Sequence, residues 1–511
     1  MNRFSKVKIN LLWQFIYQVT FLILGLVLPR FVIGAYGSEV NGLTSTIKQV
    51  ILVVSLANAG ISTAVTYSLY KPVAENDKAL IASTIKNANL IYRRMSFVTL
   101  TLGTVASVIL AFFQKGSLPA LHVFIACFLT CFQTALGFYY TAVHNIFFTA
   151  TQDKYIISIA LLLSGVIMYG GEILLAVLGF HYIWLYVCSV AGCLAQILFL
   201  QFIFRKRYKP YALSKDEIKA LNYTPIKLSG IKYATVNEVA HCIVTASQTI
   251  VITFLCGLSE ASVLSVYMMV VNSLSLISQI VYSSFAPSFG SVVAEGNHAK
   301  INQVFEIFQF SIIMMTTYMY MIAICMFMPF VSLYTSGVND IDYLSKVLMY
   351  LAVIYGIFYA IRVPYNIVAS SFGLFKESAV QTSITAAVAV IVSVVVVTID
   401  YKLVLLGPIL FYLTNTFYQH YMLRKKISTF DNRHFWKHAL VLLVGVVSMV
   451  GLSLVLPVEW ASDSFVYWIL SAFVIAALAL AVLLTLCMIF DQNSLRLTIH
   501  YFKEKNKRKR M

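Results

Sequence analysis

The chain has 511 residues, of which 60% are apolar and 11% charged. That balance excludes a disordered chain, which needs low hydrophobicity and high charge, and an ordinary soluble enzyme, which carries about 25% charged residues. Eight Cys are too sparse for a disulfide-built secreted module, and the net charge of +17 has to be read from where the 37 basic residues sit.

About 20 apolar residues cross the hydrocarbon core as a helix. In chain order the sequence predicts crossings over 10–33, 40–69, 95–114, 119–149, 156–178, 182–204, 229–256, 261–287, 304–333, 343–372, 377–399, 402–423, 437–456 and 465–489. Several exceed 25 residues, so tilted helices or helices that project beyond the bilayer are expected. The runs are continuous rather than alternating, which excludes a transmembrane β-barrel. The first run is too long for a signal-peptide core and lacks a small-residue cleavage site. The fold class predicted is an all-α polytopic membrane protein of about 14 transmembrane helices, with two pseudo-symmetric six-helix lobes and two C-terminal helices. The expected division is an N-terminal lobe over 1–204, a basic cytoplasmic linker over 205–228, a C-terminal lobe over 229–424, and the last two helices with a basic tail over 425–511.

Orientation follows from the basic residues. With the N-terminus in the cytoplasm, thirty-one of the 37 lie in cytoplasmic loops, above all in 70–94, in 205–232, after the twelfth helix and in the tail. Lys115, Lys346 and Lys402 fall outside, and Arg30, Lys48 and Arg362 lie within helices. A missed helix would invert every later loop and erase this bias. The tail Lys505–Arg510 is expected against anionic lipid head groups, at about 1 kcal/mol per residue, rather than on nucleic acid.

No loop is long enough for a soluble domain, and no phosphate-binding G-x-x-x-x-G-K-[ST] or metalloprotease H-E-x-x-H motif occurs. Cys127 and Cys131 share a helix face but lack the partners of a zinc site, so the cysteines read as small packing residues. His122, His144, His181 and His241 could carry protons and also suit packing or interfacial positions. No metal, cofactor or catalytic residue is expected.

An internal repeat is visible. Val73-Ala74-Glu75-Asn76-Asp77 and Val293-Ala294-Glu295-Gly296-Asn297 lie 220 residues apart, and Gly37 meets Gly257 at the same offset. Six helices separate the copies, so they run parallel, an arrangement found in transporters that alternate access between two bundles.

Ionisable groups within the bilayer cost about 2.5–3.5 kcal/mol on insertion scales and suggest function. Five stand out. Arg30, near the outer end of the first helix, either snorkels to head groups or faces a cavity. Lys48 lies about 12 Å down the second helix. Glu172 and Glu238, in the fifth and seventh helices, are candidates for ion coupling. Arg362, two residues before Pro364, either reaches the cytoplasmic surface or faces the cavity. Three cations against two anions favour an anionic substrate, and a diphosphate suits Arg and Lys. Gln14 and Gln18 share one helix face; with Asn58 and Asn272 they are candidates to bind sugar hydroxyls, although such amides also bind helices to one another.

The stretch Tyr36-Gly37-Ser38-Glu39-Val40-Asn41-Gly42-Leu43, followed by Leu56-Ala57-Asn58-Ala59-Gly60-Ile61 and the Tyr67–Pro72 exit, resembles the polysaccharide-transport (O-antigen flippase) family of the multidrug/oligosaccharidyl-lipid/polysaccharide exporter superfamily. The basic N-terminus and an amide-bearing first helix ending in Pro29-Arg30 share the resemblance, which is concentrated in 10–95. It implies a non-enzymatic, fourteen-helix protein of the bacterial inner membrane. The implied substrate is an undecaprenyl-diphosphate-linked glycan, moved between leaflets, with the bilayer and a polysaccharide polymerase complex as partners. The family's cationic cavity maps onto Arg30 by position and onto Lys48 and Arg362 by chemistry. Two relatives remain alternatives: a multidrug exporter, which usually has twelve helices and acidic cavity residues, and a lipid II flippase of similar helix count. A membrane polymerase or ligase would need a larger outer loop.

Overall fold

A computed structural model describes residues 3–56, 61–209, 232–426, 434–455 and 459–510. These residues contain seventeen α-helices and no strand. They are α1 Arg3–Tyr36, α2 Ser38–Ser55, α3 Ile61–Glu75, α4 Lys78–Phe113, α5 Ala120–Tyr140, α6 Ala142–Ala150, α7 Lys154–Val177, α8 Ile183–Tyr208, α9 Lys232–Leu255, α10 Leu258–Ala294, α11 His298–Tyr334, α12 Lys346–Ser371, α13 Phe375–Val397, α14 Leu406–Lys426, α15 Phe435–Val455, α16 Phe465–Phe490 and α17 Gln492–Arg510. Among the described residues, twelve helices are long and apolar enough to cross a membrane. The fold is all-α and polytopic, as the hydropathy pattern predicts.

Three expected spans differ in detail. Span 40–69 is divided between α2 and α3, of 18 and 15 residues, and neither alone is a long apolar helix. Span 402–423 is α14, whose amides and basic end dilute its apolar character. Span 119–149 is divided between α5 and α6 at Thr141. The Thr141 hydroxyl donates to the Gly137 carbonyl at 2.7 Å, a back-bond that bends helices. Of the expected linker 205–228, α8 takes the start and 210–228 lie outside the described residues. The expected "basic tail" is itself helical as α17.

The chain forms two compact units, Met1–Ser262 and Val263–Met511. The sequence reading begins the second lobe at 229, whereas α9 packs against α2 and groups with the first unit. In that unit α1 packs on α7, α4 on α5, and α7 on α8. Small residues permit the close approaches. A Cβ at Gly103 would lie 2.5 Å from that of Cys131, and one at Gly192 would lie 2.7 Å from the Ser164 carbonyl oxygen. Interfaces of this kind replace the hydrophobic effect, which lipid does not supply between helices. Cys127 and Cys131 are fully buried there among Leu110, Val123 and Leu185, in the packing role read from the sequence.

Hydrogen bonds define the two ends of this unit. At one end Lys6 donates to the Thr151 carbonyl at 3.0 Å and pairs with Asp153 at 2.8 Å, joining the start of α1 to the α6–α7 turn. At the other, the Tyr36 hydroxyl donates to the Phe180 carbonyl at 2.8 Å, and Ser117 N–H and Oγ bond the Glu39 carboxylate. Loops assigned to one side by their charge thus meet at one end.

In the second unit α11 is the central helix, packed on α12, α15 and α16, and α13 packs on α14. The repeat is realised in local structure. Gly37 and Gly257 both have positive φ, 83° and 158°, in the turns before α2 and α10. Asn76 and Gly296 both take the left-handed conformation, φ 58° and 70°, which ends α3 and α10. The next residue caps the following helix in both copies: Asp77 accepts from Leu80 N–H at 3.0 Å, and Asn297 from Lys300 N–H at 3.1 Å.

Candidate functional site

α2 is fixed in rotation by its packing face. Leu43, Ile47, Val50 and Val54 are buried at three- and four-residue spacing. Asn41 Nδ2 donates to Ser262 Oγ at 2.7 Å, and the Thr46 and Thr253 hydroxyls are 2.7 Å apart. A Cβ at Gly42 would fall 1.7 Å from the Leu258 carbonyl oxygen, so the helix approaches α10 as only glycine permits. This arrangement turns the Thr44–Lys48 face elsewhere. Thr44 Oγ1 lies 3.0 Å from the Tyr186 hydroxyl on α8. Lys48, one turn on, is exposed while its neighbour Ile47 is buried.

Glu172 on α7 is 7% exposed, and its Oε1 accepts from Ser189 Oγ on α8 at 2.8 Å. A buried carboxylate requires such compensation. Tyr186 and Ser189, one turn apart on α8, receive Thr44 from α2 and Glu172 from α7, so Lys48 and Glu172 stand on two helices that α8 joins. Tyr169, one turn before Glu172, stacks edge-on against Phe21 of α1 at 5.4 Å, and Phe21 meets Tyr17 at 4.6 Å. The structure therefore brings Lys48 and Glu172 into one polar cluster with Thr44, Tyr186 and Ser189, all within the first unit. Sequence spacing shows neither the pairing nor Ser189 and Tyr186, because the partners come from three helices.

The other candidates are placed differently. Arg30 is half-buried near the end of α1, and Gln14 and Gln18 are exposed on that helix. Glu238 is exposed on α9, and Asn272 is exposed on α10 within the second unit. Asn58 lies outside the described residues. Arg362, in the second unit, is 7% exposed, with its guanidinium 5.3 Å from the Tyr359 ring and 5.1 Å from the Tyr412 ring. The Tyr359 and Tyr412 rings are themselves 5.3 Å apart. Among the described residues its guanidinium is held by cation–π contacts to both rings.

A cluster absent from the sequence reading lies in the second unit. His438 and Asp491 side chains are fully buried, with Nε2 to Oδ2 at 2.8 Å. Ser494 Oγ is 2.8 Å from Asp491 Oδ1 and 3.0 Å from Glu306 Oε1. Burial pushes the Asp491 carboxyl up, but the hydrogen bonds from His438 and Ser494 outweigh it and hold the group below the usual carboxylate range. The cluster ties α11, α15 and the start of α17 together. Glu306 looks interfacial in sequence, and its partners stand 128 or more residues away, so only the capping pattern Asp491-Gln492-Asn493-Ser494 gives a hint.

The sequence matches no protein-family model and no curated protein. Solved structures share the fold. An inward-facing multidrug-resistance transporter of the MATE family in the MOP superfamily aligns with TM-score 0.63 at 12% identity, over 80% of this chain and 94% of its own. The lipid II flippase MurJ, in an inward closed conformation, aligns with TM-score 0.59 at 16% identity, over 94% of this chain and 99% of its own. A MOP-superfamily transporter from Pyrococcus furiosus, described as having a binding pocket of reverse polarity, aligns with TM-score 0.50 at 12% identity. The fold is that of the MOP-superfamily transporters.

Proposed function

We propose that this protein is a flippase that moves undecaprenyl-diphosphate-linked oligosaccharide repeat units from the cytoplasmic to the outer leaflet of a bacterial inner membrane, by alternating access, for O-antigen, capsule or exopolysaccharide assembly. The reading rests on Lys48, a cation exposed on a helix inside a membrane-embedded bundle, where its field is poorly screened. Glu172 lies on the neighbouring helix α7, bonded to Ser189 of α8. A diphosphate entering beside Lys48 would exchange one anionic partner for another, so Glu172 becomes the natural site of coupling to an ion. Arg30 would add a second cation toward the outer end of α1. Arg362 would act through its tyrosine cage rather than by direct contact in this conformation. Gln14 and Gln18, exposed on α1, would meet sugar hydroxyls.

The likeness to a lipid II flippase over 94% of this chain also supports a lipid-linked diphosphate substrate and keeps lipid II itself as the second reading. The multidrug-exporter reading is less favoured, because that likeness covers 80% of the chain.

The test is surface polysaccharide in a deletion strain complemented with variants. Lys48→Ala is expected to lower surface glycan at least ten-fold at normal membrane abundance, and Lys48→Arg to restore most of it. Full complementation by Lys48→Ala would remove the cationic site. Normal surface glycan in the deletion strain, with altered drug susceptibility, would establish the exporter instead.

A further inference from the structure

The first unit extends beyond the hydrocarbon layer on the side where α1 begins. In α4 the apolar stretch 95–113 is 19 residues, about 28 Å, which matches a hydrocarbon core of about 30 Å. The preceding 78–94 carries Lys78, Lys86, Arg93 and Arg94 and continues for about 25 Å. α2 and α5, at 18 and 21 residues, cover a similar thickness before the chain breaks into α3 and α6. α3, α6 and the first half of α4 therefore form a layer that begins at head-group level and projects beyond it. This layer has its own apolar core of Val65, Leu69, Ile81, Ile85, Ile146 and Phe148.

On that core lies a cavity of about 300 Å³ between α3 and α6, lined by Ser62, Thr66, Tyr67, Tyr70, Asn145 and Thr149 among others. Its volume is at the lower end of the range for small-molecule sites. The rings of Tyr67 and Tyr70 meet edge to face at 5.8 Å, and both are exposed. Asn145 is half-buried on the α6 wall of the cavity. The tyrosines are not a shared feature of the repeat, since at the same offset Pro287 and Gly290 occupy the positions of Tyr67 and Tyr70. Aromatic faces beside hydroxyls and a side-chain amide are the chemistry that binds a pyranose: C–H groups lie on the ring, and sugar hydroxyls bond polar side chains of the lining.

We propose that this cavity is a carbohydrate subsite that holds one hexose or N-acetylhexosamine unit of the substrate at head-group level. It rests on the flippase reading above. The diphosphate remains in the membrane-embedded site and the sugar chain reaches the α3–α6 cavity before translocation. The subsite selects by sugar identity, whereas Lys48 is indifferent to it.

The experiment measures saturation-transfer NMR on the purified full chain with a panel of free methyl glycosides of glucose, galactose, mannose, rhamnose, N-acetylglucosamine and N-acetylgalactosamine. At least one glycoside is expected to bind in the millimolar range. That binding should weaken at least ten-fold in Tyr67→Ala and in Asn145→Leu, and be retained in Tyr67→Phe. Misfolding of a variant would show as a shift in gel-filtration position, and Thr149→Val supplies a second lining variant with little change in volume. A panel without a binder, binding that survives Tyr67→Ala and Asn145→Leu alike, or displacement of the glycoside by phospholipid head groups would overturn the subsite. Failure of the flippase reading is separate: it would appear as normal surface glycan in the deletion strain whatever the glycosides do.

Discussion

α4 and α11 begin at matched positions with the same kind of cap and run 36 and 37 residues, yet their surroundings differ. In its most apolar stretch α4 is 33% buried, and α11 is 78% buried. α4 presents Phe97, Leu102, Val105, Phe112 and Phe113 as an exposed apolar face. The corresponding region of α11 is covered by α15 and α16. The Trp468 indole N–H donates to the Met326 carbonyl at 3.0 Å, and Gly445 admits Thr317 and Met321. The comparison shows what the two additional helices do. They cover on the second copy the apolar face that stays exposed on the first, and they are attached at one end by the His438–Asp491–Ser494–Glu306 cluster.

The largest effect is expected at that attachment. His438→Ala leaves Asp491 buried without its partner, and should cost about 3–5 kcal/mol, read as a lowered thermal midpoint of the purified protein. An unchanged midpoint would mean that α15 and α16 are held by apolar contact alone. The pH dependence has a definite sign. Because the folded state holds the Asp491 carboxyl low, its contribution is complete above the ordinary carboxylate pKa of about 4 and is lost as pH falls below it. The midpoint should drop in acid, and the drop should shrink in Asp491→Asn.

Next comes the matched pair Gly42 and Ser262. Gly42→Ala forces a methyl against the Leu258 carbonyl and should cost about 2–3 kcal/mol, whereas Ser262→Ala loses one hydrogen bond from Asn41, about 1 kcal/mol. Equal effects would show that α2 and α10 are not as closely packed as the geometry states. The caps are the smallest and sharpest test. Asp77→Ala and Asn297→Ala should each lower stability by about 1 kcal/mol, and the double variant should show their sum, since the sites lie in separate units.

Hydropathy alone gives most of the helices, because a segment in lipid must satisfy its own backbone. The repeat was legible in five residues because those residues make a left-handed turn and a cap, which few sequences can do. Interior breaks were less legible: Thr141 acts through a side-chain bond that leaves the apolar pattern intact. At the site, Lys48 and Glu172 stand out as costly charges, but their pairing depends on Asn41, Gly42 and Thr46 setting the rotation of α2. Tyr359, three residues before Arg362, hints at a cage, but Tyr412 from another helix completes it. His438 and Asp491 lie 53 residues apart and at helix ends, where charge is ordinary, so nothing in the local pattern marks them as buried.

The length of α4 has an electrical consequence. Arg93, whose guanidinium lies 5.1 Å from the Tyr139 ring, and Arg94 stand at the foot of the projecting half, while Lys78 stands about 24 Å farther out. That separation is about three Debye lengths at physiological ionic strength. Beside an anionic head-group layer the arginines would lie within one Debye length of it at physiological salt. Lys86 and Lys78 are screened from it in turn, and become part of the membrane's field only as salt is withdrawn. The helix is a graded scale of charge against height, and only its lowest mark would respond to an anionic lipid surface at physiological salt.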